Sequence, residues 1–389
     1  MSLHRIIVPV LLGMSLYGME FGEFYKEALH NSLYLKGNAL KVDAAKQDAA
    51  ITTRYKNPTL ELEYSRFDAV DGSSDNGERL SLSQPVRLWG VGDARSLLAK
   101  GLEKEAASMY ALTKALFTKK LLGLYVGYKR DMHLFKLAQQ ASEIAKRIYE
   151  ISLERYQNGT ISKADMIQSK LDYKLALAKQ RQAELAKLQS YYDLLGFAGF
   201  TKEIELESDY TEQLFAANRQ SNPLLQLHRS RAALADSKER LYANKIEWMD
   251  VYAEYEGEPN DDIYRVGVSI PLSLFNTRKE ERTKAMLEAK SAKLLAENTK
   301  RFLDIKLIAL NKKRALQKML IKRLEEGLKE GEELLALFEE AYRIANVNIV
   351  QLQQVKAALI KTKASLIDAK AQYERNIIET NYLQGKYND

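Results

Sequence analysis

Thr59-Leu60-Glu61-Leu62-Glu63-Tyr64-Ser65 alternates apolar and polar side chains. Gly77 to Val86 alternates again, with Leu80 and Leu82 on one side and Arg79, Ser81 and Ser83 on the other. A period of two marks a strand whose two faces meet different surroundings. Asn57-Pro58 precedes the first run, Pro85 closes the second, and Asp71 to Asn76 between them is turn chemistry. The stretch therefore predicts a β-hairpin. A lone hairpin is marginal in water, so this one needs partners. The pattern returns once, at Val251/Ala253/Tyr255 and Val266/Val268/Ile270.

Helical sequence surrounds both hairpins. Phe21 to Lys56 reads as one helix. From Gly92 to Asn222 there is no proline, and Leu98, Leu102, Met109, Leu112 and Leu116 keep a three/four spacing. That spacing predicts a coiled-coil-like seam on a helix from Gly92 to about Gln157. At 1.5 Å per residue such a helix is on the order of 100 Å long. Asn158-Gly159-Thr160 breaks it, and Ser162 caps a second helix running to about Leu195 with Asp165 in its first turn. Gly196 to Glu212 reads as a mixed, strand-prone connector. A second long helix is predicted from about Asn276 to Ile344, with its seam at Ile321, Leu324, Leu328, Leu335, Phe338 and Tyr342.

The second half repeats the first. Asn31-Ser32-Leu33 aligns with Asn222-Pro223-Leu224, and Tyr64 with Tyr255, at one offset (222 − 31 = 255 − 64 = 191). After the hairpin loops, Pro85 aligns with Pro271 and Tyr156 with Tyr342 at another (271 − 85 = 342 − 156 = 186). One shorter hairpin loop, around Pro259-Asn260, accounts for the difference. The fold class is mainly α with a small β part, a duplicated helix–hairpin–long helix–helix unit. The first structural repeat is placed at 19–202 and the second at 203–389, after a secretory signal at 1–18 with an apolar stretch from Ile6 to Leu16.

Composition excludes several function classes. With 29% charged residues and no other apolar run of membrane-spanning length, the chain is not a bundle of membrane helices. The net charge of +7 is spread through interspersed Lys/Arg and Asp/Glu with no basic block and interleaved aromatics, so no nucleic-acid partner is expected. Absence of Cys removes disulfides, thiolate metal sites and a Cys nucleophile. His4, His30, His133 and His228 are isolated and form no metal-ligand spacing. No enzyme and no cofactor are expected.

The predicted strands have one apolar face and one polar face, the latter holding Glu61, Glu63, Arg79, Ser81, Glu254 and Arg265. A wall between lipid and an aqueous lumen needs this pattern; the other reading is the edge of a soluble sandwich. Trp89 and Trp248, the only two tryptophans, both sit at helix–strand joins, with Tyr55 and Phe275 nearby. Membrane interfaces favour such aromatics. Four strands cannot close an aqueous barrel alone, so a membrane-embedded form implies several chains.

Together these pieces resemble the TolC-like outer-membrane efflux family over the whole chain after the signal. The matching pieces are Asn57-Pro58, Leu80 to Pro85, Pro271 to Asn276, Tyr156 to Thr160 and the tandem duplication. The Ser83-Gln84-Pro85 strand and the compact length are more similar to the heavy-metal (CzcC/CusC-like) branch than to the type I secretion branch. The resemblance implies a homotrimer in a Gram-negative outer membrane, with a twelve-stranded β-barrel continued by an α-helical barrel across the periplasm. It implies as partners a periplasmic adaptor (membrane fusion) protein and an inner-membrane pump of RND or ABC type. The implied function is the exit duct of a tripartite efflux system for small molecules or metal ions. Alternatives are the duct of a type I protein secretion system and a structural periplasmic coiled coil without a pore. It further implies a periplasmic gate at Asp165, Gln168, Gln351 and Gln354, and adaptor contacts at Asn158, Gly159, Thr160, Asn346 and Val347. Ala345 stands where the first tip has Gly159.

Overall fold

The computed structural model describes residues 18–68, 70, 72–207, 209–215, 221–259, 261–344 and 346–388. The signal segment, apart from Gly18, lies outside these residues, as do Asp71, Asn260 and Ala345. The elements run α1 (Phe21–Asn31), α2 (Leu33–Thr53), β1 (Thr59–Asp68), β2 (Ser74–Arg87), α3 (Val91–Gln157) and α4 (Lys163–Ala198). The second series is α5 (Pro223–Tyr242), β3 (Trp248–Glu258), β4 (Asp261–Ser269), α6 (Lys279–Arg343) and α7 (Ile349–Leu383). The chain divides into two compact units, and each takes segments from both repeats. Residues up to Tyr34, Phe117–Phe215 and Ile308–Asn381 make the first, and the rest make the second.

Among its described residues the first unit holds an aromatic centre and a mainly aliphatic one. In the aromatic one, Phe21 stacks on Tyr210 at 3.9 Å between centroids, Phe24 on Phe200 at 5.4 Å and Phe117 on Phe197 at 4.8 Å. The other joins the long and short helices through buried Ile148, Leu335, Tyr342, Ile349, Leu352 and Leu359. Leu328, Leu335, Phe338 and Tyr342 of the predicted α6 seam contribute to this second centre.

The second unit holds the sheet, in the order β1-β2-β3-β4 and antiparallel throughout. Beside it, Val91, Ala94 and Leu241 form a small buried cluster. A Cβ on Gly101 would stand 3.3 Å from the Leu234 Cα, so the glycine lets α3 and α5 approach closely. Pro223 opens α5, where its missing N–H costs nothing, and the Asn222 side chain accepts from Leu225 N–H at 3.1 Å.

Four expectations need correction. Phe21 to Lys56 is two helices, because Ser32 leaves the helical region at ψ 105° while its N–H still reaches the Ala28 carbonyl. The α6 helix begins three residues late: Arg278 adopts φ 57° and its N–H bonds the Asn276 side chain, an Asx turn that competes with the helix. The α4 helix runs on to Ala198 and ends at Gly199 in the left-handed region (φ 83°). Beyond it the described residues of the connector have one isolated bridge, Met19 to Leu206, because tyrosine hydroxyls take the carbonyls there. Tyr191 donates to Ile204 O at 2.6 Å and Tyr125 to Glu207 O at 3.1 Å. In the predicted α3 seam, Met109 and Leu116 are exposed and the smaller Ala99, Thr113 and Ala115 are buried instead.

Candidate functional site

Register divides the sheet cleanly. Directly paired residues share a face. Leu60 pairs with Leu82, Leu62 with Leu80, Leu80 with Tyr255, Ala253 with Val266 and Val251 with Val268. Nearly all of these apolar side chains are exposed. The opposite face carries the row Glu61–Ser81–Glu254–Arg265. Arg79 reaches Glu254 at 3.3 Å and Glu63 at 3.5 Å, and Arg265 pairs with both Glu254 and Glu256. Each half-exposed pair is worth only about 0.2–1 kcal/mol, but the set fixes register, since a one-residue slip would turn the charges onto the apolar side. Two glycines serve the polar face: a Cβ on Gly267 would meet the Tyr252 ring at 2.6 Å, and one on Gly77 the Phe67 ring at 2.7 Å. Aromatic rings cover both backbone sites.

The strand–helix joins carry the aromatics differently from one another. Trp89 is 92% and Phe275 100% exposed. Trp248 is half-buried in a cage of Tyr55 at 6.1 Å and three cations, Lys56, Arg87 and Arg95, at 5.0–5.8 Å from its ring. Beneath it, buried Glu247 pairs with Arg95 and Arg278. Burial pushes the Glu247 carboxyl up, but the two guanidiniums outweigh it and hold the group below the usual carboxylate range. Nothing in the linear sequence marks this cluster as a unit, because its members lie up to 223 residues apart (278 − 55).

At the turns after the long helices, a shared architecture appears. Gly159 sits at φ 73°, Thr160 N–H bonds Arg155 O at 2.8 Å and Gly159 N–H bonds Tyr156 O at 3.0 Å. This is a Schellman ending. In the second tip Asn346 N–H bonds Ala341 O at 2.8 Å, the same closure. Asn158, Gly159, Thr160 and Asn346 are exposed, whereas Val347 packs on the core around Tyr342.

Asp165 belongs to a capping box. Ser162 N–H and Oγ donate to its Oδ2 at 3.3 and 2.8 Å, and Asp165 N–H donates to Ser162 Oγ at 3.1 Å. Gln351 does the same with Asn348: Gln351 N–H donates to Asn348 Oδ1 at 2.9 Å and Asn348 N–H to Gln351 Oε1 at 3.2 Å. Both boxes satisfy orphan helix donors. Gln168 donates to Gln353 at 2.9 Å and Lys356 pairs with Asp172, so α4 and α7 are tied side by side. Gln354 is exposed. Among the described residues no helix is long and apolar enough to cross a membrane, and no three His, Asp or Glu gather as metal ligands.

Residues 24–199 match the family model described as outer membrane efflux protein. That stretch, 176 of the 389 residues, is similar to this TolC-like family. Solved structures of the same fold include the CusC protein, studied for transmembrane channel formation, at 13% identity and TM-score 0.79, over 99% of this chain and 98% of that one. The outer-membrane channel OprN matches at 13% identity and TM-score 0.78, over 95% and 90%. The CmeC outer membrane channel of Campylobacter jejuni matches at 13% and 0.77, over 94% and 85%. No curated protein matches.

Proposed function

We propose that the chain is the passive exit duct of a tripartite efflux system, carrying small solutes or metal ions out of the periplasm. The observation that carries this reading is the sheet. One face is exposed and apolar, the other is a ladder of charges, and β1 and β4 each have a single neighbour. An open sheet with unpaired edges invites further strands, and a lipid-facing wall must be closed. Three copies, pairing β4 of one with β1 of the next, give a twelve-stranded barrel with Glu61, Glu63, Arg79, Ser81, Glu254 and Arg265 towards water. Trp89 and Phe275 then anchor the interface, and the Trp248 cage stiffens the join. The helical tips extend into the periplasm, where the exposed turns at Asn158–Thr160 and Asn346 suit an adaptor, itself bound to an inner-membrane pump. Asp165, Gln168, Gln351 and Gln354 line the closable end.

Native mass spectrometry of the detergent-extracted protein, followed by conductance in liposomes, tests the reading. Three chains and a conductance are expected. A stable water-soluble monomer, or a trimer without conductance, would overturn the duct and favour a structural coiled coil.

A further inference from the structure

A groove with a volume of about 710 Å³ lies in the first unit, between α3 and α7. Its floor is apolar: Val126, Leu137, Leu328, Leu366, Ile367 and Ala371. Its rim carries Lys129, Arg130, Lys136, Lys363 and Lys370 beside His133, and two carboxylates, Asp209 and Glu374, line it with them; Arg130 is turned to Asp131 at 2.6 Å and Asp368 at 3.9 Å. Pockets of this size and lining hold small ligands.

The rim cations are not equally committed. Lys129 is a structural group, bound to buried Glu374 at 2.6 Å and to Tyr210 O at 2.8 Å. Lys363 and Lys370 pair outward with Glu332 at 2.7 Å and Glu325 at 2.8 Å, and those partners are about half exposed. Such pairs are weak and exchange readily. Lys136 makes no ion pair among the described residues and is exposed. His133 reports the local field: burial, then the ammoniums of Lys136, Lys129 and Lys370, hold its imidazole below the ordinary value despite Asp209. A positive rim over an apolar floor is complementary to a molecule with one anionic head and one alkyl tail.

We propose that this groove binds a single-chain anionic amphiphile of the fatty carboxylate class, its head held by Lys136 and Lys370 and its tail along Leu137, Leu366 and Ile367. Cationic and uncharged chains of equal length lack the head contact and bind less. The site is independent of the duct reading, because its readout is binding and not transport.

A ten-carbon carboxylate carrying a diazirine is the probe. It is irradiated with the full-length protein in lipid nanodiscs, and the label is mapped by peptide mass spectrometry. Label concentrated on residues 126–140 and 363–374 and displaced by octanoate is expected. The trimethylammonium analogue of the same chain should label these peptides at least tenfold less. Lys136→Glu with Lys370→Glu should lower labelling by the carboxylate at least tenfold, with the thermal midpoint checked for folding; Lys136→Gln, expected to lower it about threefold, serves if the double variant misfolds. Equal labelling by the ammonium analogue, label spread along the chain, unchanged labelling in a folded variant, or a groove unlabelled because a neighbouring chain covers it would each overturn the proposal.

Discussion

Tyr342 and Tyr156 occupy equivalent positions in the two repeats and have opposite environments. Tyr342 is 1% exposed; Tyr156 is 37% exposed. The Tyr342 hydroxyl lies 2.8 Å from Ser152 Oγ, the Arg155 guanidinium sits 4.6 Å over its ring, and the same guanidinium donates to the Tyr342 carbonyl at 2.5 Å. The duplication has thus been differentiated: the second long helix is locked onto the first through one tyrosine, and the other tyrosine is left at the surface.

Tyr342→Phe leaves Ser152 with only its Ile148 carbonyl partner and should cost about 1 kcal/mol. Tyr342→Ala removes a fully buried ring and should cost about 3–5 kcal/mol. Tyr156→Phe should change stability by less than about 0.5 kcal/mol. Denaturant unfolding measures all three, and a double-mutant cycle with Ser152→Ala isolates the hydroxyl pair. Equal costs at Tyr342 and Tyr156 would show that the asymmetry carries no energy.

Glu247→Gln should loosen the join below Trp248. The variant leaves the Arg95 and Arg278 guanidiniums facing an uncharged amide. With the arginines partly solvated, the loss should be about 2–3 kcal/mol, below the cost of breaking a fully buried pair. The sign with pH follows from the lowered carboxyl. A folded-state value below the unfolded one stabilises the fold at and above the ordinary carboxylate range, and that contribution is lost as pH falls from there through the lower folded-state value. Thermal midpoints of wild type and variant should therefore differ at pH 7 and converge only as pH falls below the ordinary carboxylate range and through the lowered folded-state value. A gap that stays constant into acid would remove the ion pairs from the account.

Much of the fold was legible because its signals are local. Alternation at Leu60 to Tyr64 and Val266 to Ile270 fixes the strands and their faces, Gly159 and Ser162 punctuate the helices, and the constant offset gives the repeat. What was not legible depends on distant partners. Ser32 interrupts a helix without a proline or glycine there; nothing nearby in sequence marks the break. Trp248 reads as an interfacial anchor like Trp89 until Arg87 and Arg95 arrive around it. The Tyr156 and Tyr342 motifs are alike, so no local pattern separates the buried one from the exposed one. The groove between α3 and α7 combines residues of both repeats and has no linear signature.

Leu62→Arg and Val268→Arg place a guanidinium on the exposed apolar face. If that face meets lipid near the midplane, each should cost about 2–4 kcal/mol of membrane stability. Glu61→Arg, on the opposite and exposed face, should assemble normally. Ser81 shares that face but is 8% exposed, between Glu61 and Glu254, so Ser81→Arg is also expected to disturb packing. Refolding into lipid vesicles, scored by protease resistance, ranks the four. Loss with Glu61→Arg equal to that with Leu62→Arg would reverse the faces.

The last prediction separates two roles for one carboxylate. Asp165 completes a helix cap through Oδ2, which takes both Ser162 bonds. Its other oxygen is left to face solvent or a cation. In a three-fold assembly with α4 starting near the axis, three such oxygens attract cations and repel one another. Gln351 repeats the cap in the second tip without charge, so any such ring rests on Asp165 alone and should be weak. Asp165→Asn keeps an oxygen acceptor for the cap and removes the charge. Ser162→Ala keeps the charge and removes the cap, at about 0.5–2 kcal/mol. Planar-bilayer recording should find cation preference and block by trivalent metal ions reduced in Asp165→Asn and retained in Ser162→Ala, while unfolding should show the reverse order of stability loss. If Asp165→Asn conducts with unaltered preference and block in an intact trimer, the carboxylate serves only the helix end.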